Sequence, residues 1–256
     1  MSPSVEITNG RIWYAWDSPP APDRPPLPLI HGAGGNHLSW PAELRRLAGN
    51  SVVVLDLPGH GRSDGPAPES IEAYAAAVVG LLDALEVTKA VVGGHSMGGA
   101  IAQTIALDYP GRVAGLVLMG TGARLRVSPA LLDGILDDFE RSLALIGKWS
   151  FSPAAPPDLR SLAIEVMRES GQSVLHADFL ACDQFDVSDR LAEIQAPAVV
   201  IGGTADRMTP LKLSQRLVQG IPNASLETVE EGGHMFVLEQ PGVVAAAVAR
   251  FMSDLS

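Results

Sequence analysis

Five short runs of almost unbroken apolar, β-type residues recur along this chain: LPLI at 27–30, SVVVLDL at 51–57, AVVGG at 90–94, VAGLVLMG at 113–120 and APAVVIGG at 196–203. A strand with one face in water alternates apolar and polar residues, whereas a strand covered on both faces has no reason to. The runs therefore predict a mostly parallel sheet buried between helical layers. Helix-like stretches fall between them at 40–48, 70–85, 97–109 and 209–221, the last opened by Thr209 as cap and Pro210 at the first helical position. Ahead of them, VEITNGRIWYAWD places Asn9-Gly10 between β-rich flanks and predicts a tight antiparallel hairpin. The class is α/β: a mostly parallel, twisted sheet flanked by helices.

The alternation stops between about 122 and 190, where no β-rich run occurs. SPALLDGILDDFERSLALIG reads as one helix capped by Ser128, with Pro129 next, and PDLRSLAIEVMRES and SVLHADFLACDQF read as two more. The expected organisation is a core of residues 1–121 and 190–256, interrupted by an all-helical insertion at 122–189. Such an insertion is placed to act as a lid over the carboxyl edge of the sheet, where α/β folds bind ligands. The length of 256 residues suits one domain with one insertion. The proline-rich SPPAPDRPPLP at 18–28 reads as a loop across the sheet edge.

With 46% apolar residues, the chain has enough material for a large core. Its net charge of −11, without any Lys/Arg cluster, argues against nucleic acid as a partner. The single cysteine, Cys182, rules out an internal disulfide, and no Cys/His cluster has metal-binding spacing, so neither a metal nor a cofactor is expected. No basic-plus-apolar leader opens the sequence, and no run approaches the roughly 18 apolar residues of a membrane span. The expectation is a soluble cytoplasmic protein, a monomer or homodimer, acting on a small molecule.

Ser96 lies in GGHSMGG, between a buried strand and a helix-like stretch. The pattern Gly94-x-Ser96-x-Gly98 fits a turn so sharp that side chains two residues either side of the serine would clash. Such a turn thrusts the hydroxyl clear of the sheet and aims the Met97 amide, at the positive end of a helix, toward the same space. A serine needs a base, and the base needs an orienting acid. His234, in the glycine-containing loop EEGGHMFVLEQP, is the candidate base. Asp206, following the strand VVIGG, is the candidate acid, with a competing role as cap of the next helix that Thr209 is better placed to fill. HGAGG at 31–35 supplies an oxyanion donor, Ala33 beside Met97, with Gly34 as the substitute if the loop register differs by one. His31 and His60 read as loop-holding residues, His95 as locked with its side chain away from the nucleophile, and His37 as a pocket-mouth residue.

Together HGAGG, VVVLDLPGHGRSD, GGHSMGGAIAQTIALDYPGRVAGLVLMGT, PAVVIGGTADRMTP and EEGGHMFVLEQP resemble, in order, the landmarks of the α/β-hydrolase superfamily. The resemblance implies its fold, a Ser96–Asp206–His234 triad, an oxyanion hole at Ala33 and Met97, and a variable helical cap. In relatives that carry the acid one strand earlier a carboxylate would fall in LMGTGAR, which has none. A serine rather than an aspartate at position 96 points away from haloalkane dehalogenation and epoxide opening, and toward carbonyl attack.

The expected activity is a carboxylesterase-like serine hydrolase for small to medium uncharged esters. Lactonase, carbon–carbon hydrolase and cofactor-free perhydrolase chemistries are alternatives on the same residues, and a hydrolase-like ligand receptor is the alternative from another class. Trp40, Phe139, Trp149, Phe179 and Met235 are the candidate substrate-binding residues.

Overall fold

In the computed structural model, residues 4–8, 10–16 and 24–255 are described. Strands β1 (Ser4–Ile7) and β2 (Gly10–Trp16) form the antiparallel start. Asn9 of the expected turn and most of the proline-rich segment lie outside the described residues. Six parallel strands follow: β3 (Leu27–Ile30), β4 (Val52–Leu55), β5 (Ala90–His95), β6 (Val113–Met119), β7 (Ala198–Gly203) and β8 (Ala224–Val229). The sheet order is β1-β2-β4-β3-β5-β6-β7-β8.

Successive residues of one strand enter separate cores, which is what covering both faces requires. Val92, Leu116, Leu118 and Val200 pack with helices α2 (Ile71–Ala84) and α3 (Met97–Asp108). Val91, Val117, Val199 and Ile201 pack on the other face, against α1 (Ala42–Arg45) and the C-terminal helix Pro241–Asp254. Each such side chain removed from water contributes about 1.5–3 kcal/mol before the cost of ordering it.

Between β6 and β7 the chain forms four helices: α4 (Pro129–Asp137), α5 (Phe139–Ser150), α6 (Pro157–Ser170) and α7 (Gln172–Gln184). Leu131, Ile135, Leu143, Ile146, Leu175 and Phe179 give them a cluster of their own. The segment read as one helix over 128–147 breaks at Asp138, whose backbone leaves the helical region (φ −148°) and whose carboxylate accepts from the Arg141 amide. Aspartate makes that local bond more readily than it continues a helix. The far end of α7 belongs to the main core, because Ala181, Cys182 and Phe185 pack with α3 and β6.

Two further expectations need correction. Helix 40–48 shrinks to α1, preceded by a 3-10 turn at His37–Ser39 that Asn36 caps. Thr209 does not cap α8 (Leu211–Gly220): Pro210 stands at that position and no side chain caps it. The last elements are α9 (Phe236–Glu239) and α10 (Pro241–Asp254).

Candidate active site

Ser96 occupies the single residue between β5 and α3, at φ 55° and ψ −117°. That backbone is strained for an L-residue, and only the surrounding packing can hold it. A Cβ on Gly94 would run into the Gly98 carbonyl, and one on Gly98 into the Ile30 carbonyl, so both flanking glycines are sterically required. The Ser96 amide donates to the Met119 carbonyl at 2.9 Å. The serine is half-buried among fully buried neighbours, and the amide of Met97 begins α3 with no intrahelical acceptor.

Asp206 follows β7 and His234 lies between β8 and α9. The two meet: His234 Nδ1 lies 2.9 Å from Asp206 Oδ2, with both side chains buried. Asp206 also accepts the Met208 and Thr209 amides on Oδ1 and the Thr209 hydroxyl on Oδ2. Burial alone would raise its pKa, but the adjacent His234 and these hydrogen bonds outweigh that and hold the carboxyl below the usual range. An ionised acceptor there fixes the proton of His234 on Nδ1.

His95 does not face away. Its Nε2 is 2.9 Å from the His234 carbonyl oxygen and its ring packs on the His234 ring at 4.8 Å. Burial, with His234 nearby, lowers its pKa to about 3, so it stays neutral and donates through Nε2. The Met235 amide donates to the Ser150 carbonyl at the end of α5, tying the histidine loop to the helical insertion. Among the described residues the Ser96 hydroxyl makes no hydrogen bond to His234. The two side chains instead share one cavity of about 270 Å³.

The walls of that cavity come largely from α6, where Leu159, Leu162, Ala163, Val166 and Met167 repeat at helical spacing. Phe179 and Met235 also line it, and among the described residues no Lys, Arg, Asp or Glu does. Trp40, Phe139 and Trp149 are not on the cavity. Trp40 is 1% exposed within the α1–α10 core, Phe139 packs into the insertion's own cluster, and Trp149 is 37% exposed. His37 is turned to Asp56, at 2.9 Å, against the ring of Trp13.

Ala33 sits on the cavity wall beside Gly32. Gly34 cannot substitute for it as a donor, because its amide donates to Asp178 Oδ2 of α7 at 2.7 Å. The same carboxylate accepts from His60 Nε2 at 2.8 Å and from the Tyr74 hydroxyl. His60 Nδ1 faces the Pro58 carbonyl at 3.0 Å, so both ring nitrogens meet acceptors, an arrangement that favours the protonated imidazole. Burial opposes that charge, and Asp178 more than offsets it, so the pKa is raised. Sequence reasoning missed the positions of Asp178, Thr209 and His95 in these networks.

Residues 25–241 match the model of a family described as the alpha/beta hydrolase fold. The chain belongs to that family. Within it, a 2-hydroxy-6-oxononadienedioate/2-hydroxy-6-oxononatrienedioate hydrolase of Paraburkholderia phymatum is 34% identical over 230 residues, covering 81% of this chain and 80% of the relative. Among solved structures, a thermophilic esterase is 30% identical with a TM-score of 0.87, covering 99% of this chain and 97% of that one. Est816, described as an N-acyl homoserine lactone degrading enzyme, is 28% identical with a TM-score of 0.87, covering 97% and 100%. This alpha/beta hydrolase is thus similar to enzymes of several hydrolytic chemistries.

Proposed function

We propose that this alpha/beta hydrolase cleaves small to medium, uncharged carboxylic esters by nucleophilic catalysis at Ser96. In the proposed cycle Ser96 attacks the ester carbonyl as His234 takes its proton. Asp206 holds the imidazole with Nδ1 protonated and stabilises its transient positive charge. The amides of Ala33 and Met97 receive the negative charge that develops on the carbonyl oxygen. His234 then protonates the departing alkoxide, and water activated by the same imidazole releases the acid. The hydroxyl–imidazole hydrogen bond, which is not formed between Ser96 and His234 in the structure, closes as substrate arrives, as such bonds commonly do. The helical insertion, residues 122–189, acts as the lid.

The observation that carries the substrate class is the uncharged cavity. A dienedioate brings two carboxylates, and buried carboxylates need cationic or multiple hydrogen-bonding partners. No Lys or Arg lines the cavity among the described residues, so the chemistry named for the Paraburkholderia relative does not suit this site. A lactone is the second reading, supported by the similarity to Est816 and by an apolar wall that suits a neutral ring or acyl chain.

A steady-state screen of p-nitrophenyl esters from acetate to decanoate, with neutral lactones alongside, tests the proposal. Hydrolysis that Ser96→Ala abolishes is expected, with two products from an ester and one from a lactone. Turnover surviving in Ser96→Ala overturns it.

A further inference from the structure

We propose that Asp178 is a positioning residue: from helix α7 it holds the Gly34 peptide and so keeps the neighbouring Ala33 amide in place beside Ser96. The inference rests on the serine-hydrolase reading and adds to it a role for a residue 144 positions away from the loop it controls.

The helical insertion grips Gly34 at every polar and apolar surface it offers. Asp178 Oδ2 accepts its amide at 2.7 Å, and the Ser170 hydroxyl donates to its carbonyl at 3.0 Å. A Cβ at this position would come within 2.6 Å of Leu175 and 3.0 Å of Met167, both from the insertion. The backbone is left-handed, φ 62°, so the peptide planes on either side take directions that an ordinary turn would not. The plane on its amino side contains the Gly34 amide; the Ala33 amide is one residue further back, on a loop that the Gly35 N–H closes by donating to the Gly32 carbonyl at 3.0 Å. Ala33 also packs against the insertion's apolar cluster.

Asp178 is itself held rigidly. It is fully buried, and His60 and Tyr74 fix its two oxygens from the core side. A buried carboxylate is costly unless its hydrogen bonds compensate, and the Gly34 amide, His60 and the Tyr74 hydroxyl supply them. The pair spans the join between insertion and core, so this carboxylate, alongside the Ser170 hydroxyl, links the helices of the insertion to the oxyanion loop. Misplacing a donor by a fraction of an ångström is enough to weaken it, because the hole is effective only when its donors are fixed in advance.

The test compares wild type, Asp178→Ala, Asp178→Asn and Tyr74→Phe. Three quantities are read: the rate of Ser96 phosphonylation by a fluorophosphonate, kcat and KM on one p-nitrophenyl ester, and hydrogen exchange of the segment 31–38. Asp178→Ala is expected to slow phosphonylation and kcat by about tenfold or more, with KM within about threefold and faster exchange across 31–38. Asp178→Asn keeps an acceptor for the Gly34 amide and should recover most of the rate. Tyr74→Phe removes a different bond from the same carboxylate, and should lower Tm while leaving both rates within about threefold.

A folded Asp178→Ala with wild-type rates overturns the proposal, as does a Tyr74→Phe that loses as much as Asp178→Ala. A wild type that the probe does not label at Ser96 overturns the serine-hydrolase reading and this one with it. If Asp178→Ala does not fold, Ser170→Ala carries the test from the other side of the peptide. About threefold slower phosphonylation is then expected, and an unchanged rate overturns the proposal.

Discussion

Thr209 donates its hydroxyl to Asp206 Oδ2 at 2.7 Å, the same oxygen that His234 Nδ1 faces at 2.9 Å. The threonine hydroxyl is also 3.1 Å from Nδ1, so it closes a three-membered contact around the acid–imidazole pair. Its hydrogen bond lowers the Asp206 pKa and fixes which carboxylate oxygen meets the histidine. Thr209→Val keeps the shape and removes the hydroxyl. A hydrogen bond to a charged group is worth about 1.5–3 kcal/mol, so kcat/KM should fall by about tenfold. Since Thr209 does not cap α8, far-ultraviolet circular dichroism of the variant should match wild type; a helix loss would assign the residue a capping role instead.

His31 and His95 make the fold sensitive to acid. Burial, and then the neighbouring His60, lower the His31 pKa to about 4; burial, and then His234, lower that of His95 to about 3. In the unfolded chain both titrate near 6.5. Between pH 6.5 and about 4 the unfolded state therefore binds protons that the native state does not, and stability falls as pH falls. The slope is up to about 1.4 kcal/mol per pH unit for each histidine. Urea midpoints at pH 7.0, 6.0, 5.0 and 4.5 should decline steadily, and a flat series would contradict the burial of these rings.

His60 acts in the opposite direction. Its folded pKa is raised, so the stability it confers is fully present below its ordinary value of 6.5 and is lost as pH rises through the folded value. Wild type should show a decline in the urea midpoint above pH 6.5, and His60→Gln, which cannot be charged, should lack it. A decline equal in both proteins would mean that His60 is neutral in the native state.

Gly94→Ala and Gly98→Ala address the turn itself. Each added methyl meets a backbone carbonyl, which has no rotamer by which to move aside. Overpacking of this kind costs about 1–3 kcal/mol or more, and here the displaced group is the one that carries Ser96. Loss of phosphonylation at Ser96 together with a lowered Tm is expected for both. Gly111→Ala, where a Cβ would meet nothing within 4 Å, is the control that should leave both unchanged.

Much of this was legible in the chain because some residues admit one environment only. Near-continuous apolar runs required a sheet covered on both faces, and Gly94 and Gly98 marked a turn with no room for side chains. What sequence pattern did not carry was direction. Trp40 and Trp149 are as apolar as Phe179, yet one lies in the core, one is exposed and only the third reaches the cavity. Nothing in the sequence around Asp178 singles it out. Its partners come from three separate elements, and no local spacing announces them. Thr209-Pro210 matched a capping pattern that the Asp206 carboxylate overrode by claiming both the Thr209 amide and its hydroxyl.

The uncharged cavity yields a prediction about substrate choice that can be reversed by one substitution. Leu162 lines the cavity from α6 and is nonetheless 67% exposed, so replacing it costs little core packing. Leu162→Lys sets an ammonium on an otherwise neutral wall. For esters whose acyl chain ends in a carboxylate, such as a monoalkyl adipate, the new ion pair is partly solvated and worth about 0.5–1 kcal/mol, a gain in kcat/KM of about two- to fivefold. For neutral hexanoate and octanoate esters the same change removes apolar contact and should lower kcat/KM by a similar factor. The two shifts must run in opposite directions on one protein, with kcat on the acetate ester unchanged. Wild type that already prefers the carboxylate-bearing ester would contradict the reading of the cavity as a site for neutral substrates, and would point back to anionic substrates of the kind named for the Paraburkholderia relative.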